Sequence, residues 1–282
     1  MRLTDFTALG RTPIDPRYPT NLAIGGLTLA VTMAAAGLRL VSGSTTVESV
    51  QWGIEVGLVL FLAWALGREL DPDHDLSAFV GAGLLLLALL VLIPPSLLLI
   101  LWVLLVLRTV NRTVGLPAKI LDSLTVFGLG IWLTWQGIWI AGFLTAIAFL
   151  LDGLLAPPLR RHLFASGLSL VITVVLVVWN GELAPEGAAT PLVVIASMAV
   201  SSMFLIVIVT SRESRAVGDA TRRPLNPRRV QAAQGLALLT ALVTAWWDGV
   251  RGVQVLLPLW AAILGVSLYR LVSLLFSRIW GS

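Results

Sequence analysis

The chain has no cysteine, two histidines, two tyrosines and a single lysine in 282 residues, and only 12% of it is charged. Without a thiol there is no disulfide, iron–sulfur cluster, thiolate zinc site or cysteine nucleophile. Two histidines are too few for a histidine-based metal cage, and His74 and His162 are both expected at the surface. A soluble domain is about 25% charged and about 45–50% apolar. A chain 57% hydrophobic with half that charge density argues against a water-soluble fold. The first twenty residues lack the apolar core, about 7–15 residues long, of a cleavable signal peptide.

What is present is apolar sequence in long blocks. Mean hydropathy is +0.94, and positions 78–107 run without one ionisable group. The expected class is an all-α, polytopic transmembrane helix bundle, multi-pass in the cell membrane. Residues 1–20 form a cytoplasmic tail and residues 21–282 a single transmembrane domain, since no hydropathy break marks a second one.

Apolar segments run over Asn21–Val41 and Trp52–Gly67. The block from Leu76 to Leu107 would be about 48 Å long as one helix, against a hydrocarbon core of about 30 Å. Pro94 and Pro95 at its midpoint cannot continue a helical ladder, so the block folds into a hairpin. A second block, residues 120–151, has its midpoint at Trp135 and Gln136 and reads the same way. Leu163–Trp179, Pro191–Thr210, Val230–Trp247 and Val253–Phe276 complete about ten helices.

Charge placement supports that count. With both termini cytoplasmic, the inner segments collect Arg2, Arg11, Arg17, Arg68, Arg108, Arg112, Lys119, Arg160, Arg161, Arg212, Arg215, Arg222, Arg223, Arg228, Arg229 and Arg278. Only Arg39 and Arg251 fall outside, and Arg270 snorkels from the last helix. Eight helices would put Arg108, Arg112 and Lys119 on the wrong side. Trp52, Trp132, Trp135, Trp139, Trp179, Trp246 and Trp247 all fall at outer helix ends, where indoles rest at headgroup level. The near-exclusive use of arginine over lysine fits a GC-rich prokaryotic genome.

Charges inside apolar segments are costly and mark candidate sites. Arg39 and Glu55 are expected to pair across the first hairpin. Gly53 and Gly57 form a small helix-contact face turned away from Glu55. Asp248 and Arg251 read as a local surface pair.

The inner connections are richer: RELDPDHD, RTVNRTVGLPAKILD, LDGLLAPPLRRH and SRESRAVGDATRRPLNPRR each carry acid and base. Carboxylates can hold a hard divalent ion, magnesium being the natural candidate, and cations can receive phosphate oxygens. Glu69, Asp71, Asp73, Asp75 and Asp219 are the metal-side candidates. Arg108, Asn111, Arg112, Lys119, Arg222 and Arg223 are the phosphate-side candidates. The plainer reading of the same residues is a solvated turn, with Pro72 ending one helix and Asp75 capping the next, plus arginines that only orient the chain. DPDHD is not an EF-hand, because Leu76 stands where glycine is required and Ala82 where glutamate is required. No aromatic residues interleave the Arg212–Arg229 cluster, which excludes nucleic acid as a partner.

The acidic loop after the second helix resembles, in layout, that of the UbiA-type intramembrane prenyltransferases, which would imply magnesium and a prenyl diphosphate. ELDPDHD departs from their NDxxDxxxD spacing, and Arg223 stands where a partner acid for Asp219 would be. LDGLLAPPLRR shares only Asp152-Gly153 with the CDP-alcohol phosphotransferases. Ten helices with both ends inside also resembles the drug/metabolite transporters in layout.

Three functions therefore compete: a protein that binds or processes a phosphorylated lipid or isoprenoid at its inner face, a small-molecule secondary transporter, and a noncatalytic membrane scaffold. The first accounts for the unusual residues, whereas the second rests on helix number alone.

Overall fold

A computed structural model describes residues 7–9, 19–181, 187 and 189–280. Among them it is all-helical, with ten helices: α1 Pro19–Val41, α2 Thr46–Leu70, α3 Asp75–Ala88, α4 Leu97–Asn111, α5 Ile120–Trp135, α6 Ile140–Leu154, α7 Arg161–Asn180, α8 Pro191–Thr210, α9 Pro227–Val255 and α10 Leu257–Trp280. The side chains of Arg2, Arg11, Arg17 and Arg278, and most of the N-terminal tail, lie outside the described residues. Six helices (α1, α2, α7, α8, α9 and α10) are long and apolar enough to cross a membrane by length and composition; α3, α4, α5 and α6 are shorter and also apolar. The chain thus fits a helical integral membrane protein.

Both long apolar blocks fold where the sequence suggests. α3 stops at Ala88 and α4 begins at Leu97, with Pro94 and Pro95 in the turn between. α5 ends at Trp135, where the Gln136 N–H still reaches Trp132 O at 3.0 Å, and Gly137 at φ 94° then reverses the chain. That left-handed conformation suits glycine.

Two boundaries differ from expectation and a third agrees with it. α2 begins at Thr46, well before Trp52, because Thr45 and Glu48 form a reciprocal capping box. Two donors that the first turn would leave unpaired are thereby satisfied. The cap of α3 is His74, while Asp75 is already helical and pairs with Arg68. The break expected between Trp247 and Val253 is present: Gly249, at φ 59°, is non-helical and interrupts α9 there.

The described residues pack as two compact units, one of residues 7–9 and Trp102–Val253, the other of residues 19–101 and 254–280. The second unit is built from α1, α2, α3 and α10. Its core includes Val59, Ala63, Leu85 and Ala261, and its helices approach through small residues. A Cβ at Gly57 would lie 2.0 Å from Thr32 Oγ1, and one at Gly53 2.5 Å from Thr32 O. The Gly53/Gly57 face is therefore the α1 contact. Glu55, on the other side of α2, is exposed. The expected Arg39–Glu55 pair is not formed; Arg39 instead lies over the Trp52 ring, 4.9 Å from its centroid. Indole quadrupole and guanidinium attract one another in that arrangement.

The first unit holds α4 from Trp102 onward and α5 to α9. Its buried hydroxyls tie apolar helices together: Trp102 Nε1 donates to Thr145 Oγ1 at 3.1 Å, Ser166 to Ala146 O at 2.7 Å and Ser169 to Gly142 O at 3.1 Å. Gln231 and Gln234 join α9 to the end of α8, donating to Ile208 O at 2.8 Å and Ser211 Oγ at 3.1 Å. Two residues of the expected tryptophan belt, Trp139 and Trp247, meet edge to face with centroids 4.7 Å apart.

Candidate functional site

The polar end of the first unit is organised by one carboxylate. Asp152 stands in the last turn of α6 with no exposed surface. Its Oδ1 accepts from Arg112 Nε at 2.8 Å and from Arg229 Nη1 at 2.7 Å, and its Oδ2 accepts from Arg112 Nη2 at 3.0 Å. His162 Nδ1 lies 2.8 Å from Oδ2. A buried acid carrying two guanidinium groups is far from the bare charge that would be prohibitive in an apolar surrounding.

The local sequence explains how the remaining donors are satisfied. After Asp152 the chain runs GLLAPPL, and two successive prolines cannot supply N–H groups to extend α6. The carbonyls of this segment turn to the arginines. Arg112 Nη1 donates to Pro157 O at 2.9 Å, and Arg229 donates to Ala156 O at 3.1 Å, Pro157 O at 3.0 Å and Val110 O at 2.9 Å. Arg112 itself sits just past α4 at φ 54°, a left-handed conformation that costs a non-glycine residue about 1–3 kcal/mol. Its bonds to Asp152 and Pro157 hold it there.

Other loops close around this knot. Asp122, in the first turn of α5, accepts from Lys119 N at 2.8 Å and Ala8 N at 2.7 Å, and Thr7 also donates to it. Arg108 Nη1 donates to Leu9 O at 3.0 Å. The arginine-rich segment between α8 and α9 folds back through a Val217–Pro224 bridge and lays Ala220 N on Val114 O at 3.0 Å. Gly115, at φ 88°, and Gly218 make that approach possible; a Cβ on Gly218 would come 2.7 Å from Gly115 Cα.

Beside the knot is an open groove of about 590 Å³, lined by Leu116, Pro117, Ala118, Lys119, Ile120, Leu121, Leu159 and Arg161. Arg161 also donates to Ala118 O. Ile120 and Leu121 are more than half exposed, at 67% and 58%. Two cations thus stand next to an apolar wall.

The sequence-named phosphate-side residues separate into three groups. Arg112 and Asn111 are buried, Arg108 and Lys119 are half-buried, and Arg222 and Arg223 are exposed. Arg112 is committed to Asp152. Of the acidic candidates, Asp219 belongs to the first unit and is exposed, whereas Glu69, Asp71, Asp73 and Asp75 belong to the second. There Glu69 and Asp71 are buried. Asp71 Oδ1 is 3.0 Å from His74 Nδ1, which Arg270 Nη1 approaches at 3.3 Å. Among the described residues no three histidine or acidic side chains converge as a metal-holding group.

Asp152, Asp122, Ser123, Arg161 and His162 were not among the site residues expected from sequence. The expectation of a surface His162 is corrected outright, since it has no exposed surface and packs, tilted, against Phe149 with centroids 4.5 Å apart. The available signal was Asp152 itself, an acid at the end of an uncharged apolar helix. No known family, curated protein or solved structure matches the chain.

Proposed function

We propose that this protein is a multi-pass membrane protein that binds a phosphorylated lipid at its arginine-rich, cytoplasmic face. The observation that carries the reading is the groove between the α4–α5 loop and the start of α7. Lys119 and Arg161 offer cations for phosphate oxygens, and Ile120, Leu121 and Leu159 offer an apolar wall for the acyl or isoprenoid chain. Phosphate contacts with cations are charge-assisted and specific, and a basic site at headgroup level attracts anionic lipid. The neighbouring knot of Asp152, Arg112 and Arg229 fixes the loops that form the groove. Recognition rests on these cations. The inner placement follows from the positive charge on the even-numbered connections.

The test uses the full-length protein in detergent with short-chain phosphatidic acid and phosphatidylcholine as probes. Phosphatidic acid should bind, and reversal of both charges (K119E with R161E) should weaken it at least tenfold while leaving phosphatidylcholine unaffected. Equal phosphatidic acid binding by the double variant would remove the groove from consideration.

A further inference from the structure

His162 connects a hydroxyl to a carboxylate. Its Nε2 is 2.7 Å from Ser123 Oγ, and its Nδ1 is 2.8 Å from Asp152 Oδ2. The three side chains come from α5, α7 and α6, and they stand in the order nucleophile, base and orienting acid used for acyl transfer. Such an arrangement is recognised by geometry and role, not by sequence order.

Several independent features support a chemical use. Asp152 is fixed by two arginines and cannot turn away. Phe149 packs against the imidazole. Exposure is graded along the relay: Asp152 and His162 have none, whereas Ser123 is half-buried. Ser123 lies one helical turn after Lys119, to whose backbone O its hydroxyl donates at 2.9 Å, and His162 directly follows Arg161, so the relay is sequence-adjacent to both cations that line the groove. It is also in the amino-terminal turns of α5, where the helix dipole favours developing negative charge.

The resting geometry is compatible with a nucleophile awaiting substrate. Ser123 Oγ is 2.9 Å from Lys119 O as well as 2.7 Å from Nε2, so its one proton has two acceptors. The Nδ1 contact to Asp152 is at ion-pair distance but outside hydrogen-bond alignment. Catalytic hydrogen bonds commonly align only when substrate is bound.

We propose that Ser123, His162 and Asp152 form a serine-nucleophile site that hydrolyses an acyl ester of the phosphorylated lipid held by Lys119 and Arg161. The substrate class rests on the lipid-binding reading; the nucleophile does not. In the first step Ser123 Oγ bonds to the ester carbonyl carbon and its proton passes to His162 Nε2. The carbon–oxygen bond to the glycerol side then breaks, and the departing oxygen takes that proton to leave as an alcohol. In the second step water adds to the acyl carbon while Nε2 accepts its proton. The bond to Ser123 breaks, the proton returns to Oγ, and the fatty acid leaves. Ser123 and His162 are the catalytic residues, and Asp152 is a positioning residue.

The experiment treats the full-length protein in detergent with a fluorophosphonate probe and locates the adduct by peptide mass spectrometry. An adduct on Ser123 is expected, absent in S123A and formed at least tenfold more slowly in H162Q that purifies as a folded, monodisperse species. A wild-type protein left unmodified at Ser123, or labelling equally fast in folded H162Q, overturns the proposal. If H162Q does not fold, the wild-type adduct alone decides. Phosphatidic acid binding without a Ser123 adduct would overturn the nucleophile and leave the groove standing. An adduct without phosphatidic acid binding would do the reverse.

Discussion

Replacing Asp152 with Asn should lower the stability of the protein by about 3–5 kcal/mol, the typical cost of removing one partner from a buried ion pair. The substitution preserves volume, so packing is not what changes. It leaves Arg112 and Arg229, which are 8% and 2% exposed, without their counter-charge. The backbone carbonyls of residues 110, 156 and 157 still accept from both guanidinium groups, but carbonyl dipoles do not neutralise a full charge. Equilibrium unfolding in mixed detergent micelles, followed by tryptophan fluorescence, measures the change. Replacing Asp152 and Arg229 together by apolar residues of similar size should recover part of the loss, since a buried pair removed as a unit costs much less than one broken in half. A D152N protein that unfolds within about 1 kcal/mol of wild type would mean that the arginines reach water or another anion, and the knot would then not be the organising element of this end.

Much of the helical frame was legible because the bilayer imposes a length on apolar segments. A 32-residue block cannot span once, and Pro94–Pro95 or Gln136–Gly137 marks where it turns. The start of α2 was legible too, in Thr45 and Glu48, but hydropathy obscures it because a capping box is polar. What sequence could not reveal is adjacency between distant segments. Thr113–Gly115 and Gly218–Ala220 are about a hundred residues apart, and nothing in either stretch announces that their backbones touch. The same holds for Ser123 and His162, each unremarkable in its own helix; Asp152 stands out as the one charged residue of α6, but nothing in the sequence announces its partners. The two-unit packing was equally hidden, since the second unit is assembled from two segments far apart in sequence, residues 19–101 and 254–280, and no change in hydropathy marks its limits.

Charge patterning was informative about which ends of the helices are polar and silent about which partner each charge takes. Arg112 looked like a phosphate ligand because it lies in a basic loop. Its left-handed backbone turns it inward to Asp152, and Arg161, which sequence counted only as an orienting charge, is one of the two cations beside the groove. A buried acid reorders the roles of all the arginines within its reach, and its partners are set by tertiary structure.

The second large effect concerns the other unit, where a single glycine sets the distance between two helices. A Cβ built on Gly265 of α10 would lie 2.3 Å from Gly81 N and 2.4 Å from Gly81 Cα in α3. Both atoms are backbone, so no rotamer change can relieve the overlap; the helices must separate. Gly81 has the same requirement in reverse, its Cβ falling 3.0 Å from Ala262 Cα and 3.1 Å from Ala261 O. In apolar surroundings helices associate by packing and close backbone approach, because there is little hydrophobic drive between them. Forcing α3 and α10 apart forfeits that packing around Ala261 and Leu85, and small-to-large substitutions in such contacts typically cost about 1–3 kcal/mol or more. G265V is therefore expected to cost at least about 3 kcal/mol in the same micellar unfolding experiment. Gly83, on α3 as well, has no atom within 4 Å of its Cβ position. G83A places a methyl group in open space and improves helix propensity by about 1 kcal/mol, so it should be neutral or stabilising. If G265V and G83A behaved alike, the close α3–α10 contact would not be what holds this unit together. If only G265V fails, the cost belongs to backbone approach, and the glycine is there because no larger residue permits the two helices to meet.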